Sequence, residues 1–507
     1  SYLEEAGRKV LGFFLTHGHE DHVGALPFLL RRLWGDAYPA EGSLAPPVYG
    51  TRLTLGLARH RLKEHRVLRE ADLREVAAGD RVQLGPFRVE GVHVCHSIPD
   101  ALALAIETPV GRVLYTSDFK LDPDPLYGRP TDLERFRRLG EEGVLLLLGD
   151  STNAERPGVS GKERDLVPTF EAIFEQAPER IVVSTFASNI HRIQLTVGLA
   201  EQHGRHVAVV GRSLQNAFRT ARELGFLKVA EGTVLPIDEA SGDRRLVLLC
   251  AGSQGEPLSA LSRFAAQRHP LINVERGDWV VLSARPIPGN ERLVNKTINN
   301  LYRHGARVFY SDADRVHVSG HAYADELLEV QRAVRPRFFI PVHGEYRQLE
   351  KHAELAERAG TPAERIKVVE DGRVVELTAD SVEVGEDVGA GFVFVDGSGI
   401  GDVEQVVLRD RRHLASDGIV VVTVALDRED GELRAGPDLV SRGFIEEGTS
   451  EDLMRDARNE VTAAVRRLAG EPPERSIVQE TIHDVVSRMA WKRTRRRPMV
   501  IPVVTEI

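Results

Sequence analysis

Cysteine is scarce in this chain: two in 507 residues, Cys95 and Cys250, too far apart to form a CxxC pair. A disulfide framework is thereby excluded, and a reducing compartment, the cytoplasm, is expected. Long hydrophobic runs are also missing. No apolar stretch approaches the ~18 residues that cross a bilayer, no signal-peptide pattern is read, and no membrane partner is expected. Positive charge is not in excess: 66 Lys and Arg stand against 76 Asp and Glu, a net charge of -10. That argues against general affinity for nucleic acid but leaves room for a local positive groove. Internal repeats and low-complexity tracts are absent. What remains, 42% apolar and 28% charged, is ordinary for a globular protein. The length suggests about three domains at ~150 residues each.

Against this plain background stands His17-Gly18-His19-Glu20-Asp21-His22. Neutral imidazole nitrogens and carboxylate oxygens are good ligands for zinc-like metals, and five titratable groups this dense rarely serve packing. The apolar run Val10–Leu15 precedes it and reads as a buried strand; Val23, Leu26, Leu29 and Leu30 follow with helical spacing. The ligands therefore sit on a strand-to-helix turn. Only a short stretch precedes the run, and a further segment upstream is expected.

The same layout recurs along residues 1–157. Strands read at Val89–Cys95, Gly111–Thr116 and Val144–Leu148 are each followed by a polar residue: His96, Asp118 and Asp150. His93 alternates with the strand carrying His96 and is expected to face away; Cys95 is expected to be a small buried residue. Residues 158–300 alternate apolar runs (Ile181–Phe186, His206–Gly211, Leu246–Cys250, Trp279–Ser283) with helical stretches (Ile190–His203, Leu214–Leu224), the pattern of parallel βαβ units. They read as an inserted α/β domain. Residues 301–375 resume the first layout, with the strand Arg337–Val342 delivering His343. Residues 376–400 read as a linker, and 401–507 as a small C-terminal α/β domain.

His17, His19 and His96 offer a first metal three imidazoles. Asp21, His22 and His343 offer ligands to a second, and Asp118 is the natural bridge, since one carboxylate can give an oxygen to each ion. Two metals about 3.5–4 Å apart clamp the attacking and leaving oxygens of a phosphoryl displacement and bring the pKa of bound water toward ~7. Zinc is the expected metal, with manganese as the alternative.

The run is the HxHxDH signature of the metallo-β-lactamase superfamily. His96 within His96-Ser97-Ile98-Pro99-Asp100 and Asp118 within Ser117-Asp118-Phe119-Lys120 match its later ligand motifs. Asp150 in Asp150-Ser151-Thr152-Asn153, His321 in His317-Val318-Ser319-Gly320-His321-Ala322 and His343 in Pro341-Val342-His343-Gly344-Glu345 look like the three motifs of the β-CASP nuclease branch. The set resembles the bacterial ribonuclease J family over almost the whole chain. The family's acid on an early strand has no counterpart here.

The resemblance implies an α/β fold: a metallo-β-lactamase αββα sandwich split by an inserted β-CASP domain, plus a small C-terminal α/β domain. It implies a metal-dependent ribonuclease, exonucleolytic 5′→3′ and endonucleolytic on single-stranded RNA, working in RNA maturation and decay through water activated by two metals. Asp21, Asp150 and His321 become the catalytic candidates, with Asp150 and His321 as proton donors to the leaving oxygen. The segment His317, Val318, Ser319, Gly320 and His321 becomes the pocket for a 5′ monophosphate or an adjacent phosphate, where the small residues let backbone N–H groups approach an anion. Phe186 is expected to stack on a base, with Ala187, Ser188 and Asn189 beside it on the RNA. Asp396 is a candidate for a structural calcium. A homodimer or higher oligomer, and membership of an RNA-degrading complex, are also implied. A DNA-directed nuclease of the same branch is the competing enzyme reading, separable by comparing RNA with DNA. An RNA-binding scaffold with a dead site is disfavoured by the complete ligand set. A thioester or lactam hydrolase is disfavoured by the inserted domain.

Overall fold

The computed structural model describes residues 10–34, 46–69, 71–310, 312–391, 393–396, 399–400, 405–445, 451–468 and 474–507. Two compact units are present, residues 1–390 and 391–507.

The first unit is built on two facing sheets. One is parallel, with strands Phe13–Leu15, Val48–Gly50 and Leu73–Glu75. The other has six strands in the order Phe338–Val342, Leu146–Asp150, Gly111–Tyr115, Leu102–Thr108, Phe87–His93 and Arg81–Leu84. Tyr49, Val76, Val89, Leu102 and Leu104 fill the space between them. On one outer side Val23, Leu26 and Leu30 pack with Leu55, Ala58 and Leu62 of the helix Arg52–Glu64. On the other, Phe136, Leu139, Leu327, Val334, Ala353 and Ala356 cover Leu114, Leu147 and Phe339. The layers run helix, sheet, sheet, helix, as the αββα expectation requires. The expected strand Val10–Leu15 is shorter, Phe13–Leu15, because its three-residue neighbour Val48–Gly50 limits the ladder.

The insertion is a five-stranded parallel sheet in the order Val207–Val210, Val247–Cys250, Ile181–Ser184, Trp279–Leu282 and Arg307–Phe309. Its strands read as unbroken apolar runs because both faces are covered. Ile181 and Val183 face Phe170, Ile193 and Phe218; Val182 faces Leu261, Phe264 and Ile298. The helix Glu291–Arg303 runs across residues 300 and 301, and the next strand, Arg307–Phe309, pairs with Trp279–Val281 of the inserted sheet. The stretch expected as a connection, 376–400, has strand character. Arg373–Leu377 and Val382–Asp387 form a hairpin, and Val382 packs with Leu145, Leu146, Phe338 and Ile340.

In the second unit, Ile419–Leu426 pairs antiparallel with Leu433–Arg442 and parallel with Met499–Glu506. Helices Glu451–Arg466 and Arg475–Thr494 bury Val461, Val465, Ile482 and Val486 against Val420, Val422 and Val424. The side chain of Asp396, the calcium candidate, lies outside the described residues. Among the described residues no helix is long and apolar enough to cross a membrane.

Candidate metal centre

The ligand run occupies the turn after Phe13–Leu15 and the single turn of helix Glu20–Val23. The helix Arg52–Glu64 lies directly behind it. A Cβ on Gly18 would meet Leu57 Cδ1 at 2.6 Å, so glycine is what lets the backbone of the run approach that helix.

Three ring nitrogens converge. His19 Nδ1 stands 3.2 Å from His17 Nε2 and 3.1 Å from His96 Nε2. Each ring is oriented from its far side. His96 Nδ1 donates to the Gly320 carbonyl at 2.7 Å, which leaves Nε2 as a lone pair facing the centre. His17 Nδ1 lies 3.2 Å from Thr16 Oγ1 and 3.3 Å from Ser117 Oγ; His19 Nε2 lies 3.3 Å from Ser97 Oγ. Asp118 Oδ2 sits 3.5 Å from His17 Nε2, 3.3 Å from His22 Nε2 and 3.8 Å from His96 Nε2. Its other oxygen lies 3.6 Å from His343 Nδ1, and His343 Nε2 lies 3.6 Å from Asp21 Oδ2.

The potential ligand atoms fall into overlapping groups, each within 4.8 Å: His17, His19, His96 and Asp118; Asp21, His22, Asp118 and His343; and Asp118, Asp150, His321 and His343. Asp118 belongs to all three. Two backbone positions carry strain: Ser117, next to Asp118, at φ 55° and His343 at φ 56°, conformations that cost energy and cluster at functional sites.

This donor set fits a pair of cations. Asp118 Oδ1 and His22 Nε2 are buried and lack a hydrogen-bond partner, a state that costs free energy unless something satisfies them. Burial and neighbouring imidazoles hold His17 and His96 far below the ordinary histidine range, and burial brings His19 to about 4. These rings are neutral, as ligands must be. Burial would raise Asp118, but His22, His321 and His96 outweigh it and keep it ionised. His343 is the converse: burial opposes its charge, yet Asp150, Asp21 and Asp118 push it up to about 11. Positive charge is wanted there.

Beside the cluster, His321 Nδ1 lies 2.8 Å from Asp150 Oδ2. Asp150 Oδ1 accepts from Thr152 N and Oγ1. Burial alone would raise Asp150, but His321 and His343 hold it well below the usual carboxylate range; Asp150 correspondingly lifts His321 above its ordinary value against the effect of burial. The carboxylate side of the pair is thus held toward its ionised form and the imidazole side toward its protonated form.

The chain matches known families along its length. Residues 1–156 match "Metallo-beta-lactamase superfamily", 178–301 "Ribonuclease J, beta-CASP domain", 312–369 "Zn-dependent metallo-hydrolase RNA specificity domain" and 406–507 "Ribonuclease J C-terminal domain". It is 42% identical to Ribonuclease J of Thermus thermophilus over 100% of this chain and 86% of that relative. The figures are 41%, over 100% and 88%, for Ribonuclease J of Mycobacterium tuberculosis. For Ribonuclease J2 of Bacillus subtilis they are 37%, over 100% and 90%. The chain belongs to the ribonuclease J family.

This ribonuclease J chain places the expected substrate-side residues unevenly. Ser319 is buried, and its Oγ is engaged by Asn153 Nδ2 at 2.9 Å and His321 N at 3.0 Å. Gly320 turns its carbonyl to His96, and a Cβ there would meet His96 Cε1 and Ser97 Cβ at 2.9 Å. Val318 and Ala187 pack against the core of the insertion. His317 is half-buried, held near 3 by burial and Arg192, with its Nδ1 unpartnered. Phe186 and Ser188 are half-buried on the turn after Ile181–Ser184. Asn189 is buried, and its Oδ1 accepts from Arg192 N and caps the next helix.

Sequence reasoning missed what steadies the His317–His321 segment. Arg192, fully buried, reaches Glu163 Oε2 at 2.8 Å and the Val316 carbonyl at 2.9 Å, and Ser283 Oγ donates to that carbonyl at 2.6 Å. Glu326 accepts from Leu121 N, Ser160 N and Tyr323 N at 2.7–2.8 Å. An arginine three positions past the helix cap Asn189 was the available signal, but nothing local separates it from a surface arginine.

Proposed function

We propose that this ribonuclease J family member is a metal-dependent ribonuclease that cleaves single-stranded RNA, 5′→3′ from the end and also internally, with two divalent ions at the His17–His22 centre. The observation that carries this reading is the convergence of imidazoles and carboxylates around Asp118 with the Asp150–His321 pair at their edge. His17, His19, His96 and Asp118 would hold one ion, and Asp21, His22, Asp118 and His343 the other. When bound, the ions supply Lewis-acid stabilisation of the phosphate and a water of lowered pKa. The imidazole-rich set suits zinc and tolerates manganese.

The protein's own groups account for the rest. His321 has Nδ1 tied to Asp150, so its Nε2 is the nitrogen free to give a proton to the leaving 3′ oxygen. Asp150 fixes that tautomer and ring orientation. Its buried carboxylate is itself anchored by Thr152, so the pair is set before substrate arrives. The small residues at Ser319 and Gly320 favour a 5′ monophosphate beside the cut.

The test is digestion of matched 5′-monophosphate RNA, 5′-triphosphate RNA and single-stranded DNA by metal-loaded protein. Mononucleotide release from the 5′-monophosphate RNA, slower release from the triphosphate and little cleavage of DNA are expected. Equal turnover of DNA and RNA would overturn the RNA assignment, and no cleavage of any strand would overturn the nuclease reading.

A further inference from the structure

A second polar feature lies outside the metal centre, on the far side of the helix that backs it. Helix Arg52–Glu64 of the sandwich meets helix Arg212–Glu223 of the insertion. Gly56 lies at this crossing, where a Cβ would meet Leu224 Cδ1 at 2.7 Å and Thr220 Cγ2 at 2.8 Å. Next to this crossing opens a groove of about 450 Å³. Arg52, Arg59 and Lys63 line it from the first helix and Arg219 from the second, over a floor that includes Leu55 and Leu73.

All four cations are exposed. Among the described residues none of the four forms an ion pair, whereas neighbouring Arg61 is tied to Glu20 and Glu64. Glu75 and Glu223 also border the groove, so cations outnumber carboxylates two to one there in a chain of net charge -10. Unpaired like charges held side by side repel one another, and an anionic ligand relieves that. Arg52, Arg59 and Lys63 share one helix face at spacings of seven and four residues. At a 1.5 Å rise per residue they span about 16 Å. A single phosphate is far smaller than that; a phosphodiester chain matches it, with the leucine floor available to sugars and bases.

We infer that this groove is an outer track for the backbone of the RNA substrate, engaging nucleotides beyond those at the metal centre. The inference rests on the ribonuclease reading above. The helix Arg52–Glu64 joins the two places: its first turns press against Gly18 of the ligand run, and its basic stripe faces the groove. The contacts are to phosphates, so they add affinity and length dependence without base preference.

The experiment is fluorescence anisotropy with the full chain in EDTA, which prevents cleavage, using 5′-monophosphate RNAs of four and twenty nucleotides. The variant carries Arg59→Ala, Lys63→Ala and Arg219→Ala together. Its twenty-nucleotide RNA affinity falls at least ten-fold, and the slope of log Kd against log salt falls by about 2, since each lost phosphate contact on a single strand removes about 0.7. Four-nucleotide affinity stays within two-fold. A control with Arg358→Ala, Arg365→Ala and Lys367→Ala, the same charge change away from the groove, leaves both unchanged. Unchanged affinity and slope in the groove variant, or an equal loss in the control, would overturn the inference. If the triple variant does not fold, Lys63→Ala and Arg219→Ala singly each lower the slope by about 0.7, and no change in either overturns it. Failure of the ribonuclease reading shows separately, as metal-loaded wild type that cuts no RNA.

Discussion

His321 Nδ1 and Asp150 Oδ2 are 2.8 Å apart although 171 residues separate them in sequence. The pair joins the end of the sandwich strand Leu146–Asp150 to the segment on which the chain returns from the insertion. The contact fixes the orientation of the His321 ring, and Asp150 lifts the His321 pKa above its ordinary value.

His321→Gln removes the donor while conserving size. Single-turnover cleavage of 5′-monophosphate RNA is expected to fall roughly 10²–10⁴-fold, the usual contribution of a positioned acid, with two metals per chain retained. Asp150→Asn lowers the rate in the same direction. Metal content by atomic emission and quench-flow rates check both; wild-type rates in His321→Gln would remove it from the chemistry.

Gly320→Ala tests the contact between the returning segment and the first metal ligand set. The added Cβ would stand 2.9 Å from His96 Cε1, so His96 must move or lose its bond to the Gly320 carbonyl. Outer contacts of this kind are worth about 10–100-fold in metal affinity. Competition with a chelator should show that loss in Gly320→Ala, with little change in melting temperature.

Acid should destabilise the fold through histidines buried neutral. His191 and His352 are each brought to about 4 by burial. Unfolding restores an ordinary value near 6.5, so the unfolded chain binds more protons between pH 6.5 and 4. Their contribution is whole above 6.5 and is lost as pH falls toward 4, by at most about 1.4 kcal/mol per pH unit for each. Urea midpoints measured across that window should fall for wild type and fall less steeply for His352→Gln.

The Glu163–Arg192 pair predicts strong asymmetry. Both side chains are buried and 2.8 Å apart, and burial pressure on Glu163 is overcome by Arg192 and Lys120, which hold it at about 2. Glu163→Leu strands a buried guanidinium and should cost about 3–5 kcal/mol. Adding Arg192→Met should recover part of that loss. Chemical denaturation of the two variants checks the order.

The sandwich and insertion were legible because their strands are short apolar runs with one chemical event at the end of each: His17, His96, Asp118, Asp150, His343. Periodicity also exposed the parallel insertion, since strands buried on both faces carry almost no polar residues. The sheet that the chain joins after residue 300 was less legible. The helix Glu291–Arg303 and strand Arg307–Phe309 look alike whichever sheet they join, and only pairing with Trp279–Val281 decides. That Asn189 caps the helix Ile190–Gln202 was not read, because a capping asparagine and a ligand-binding one have the same local sequence. Orientation of His96 by the Gly320 carbonyl was invisible for a different reason: a backbone acceptor 224 residues away leaves no mark on side-chain identity.

Among the described residues Asp118 is shared by every group of potential metal ligands, so one substitution reaches both expected ions. The decisive measurement is metal stoichiometry of purified wild type and Asp118→Ala, with RNA cleavage assayed on the same samples. Two divalent ions per wild-type chain, loss of at least one in the variant and abolished cleavage are expected. Full metal content together with wild-type cleavage in Asp118→Ala would contradict the two-metal account.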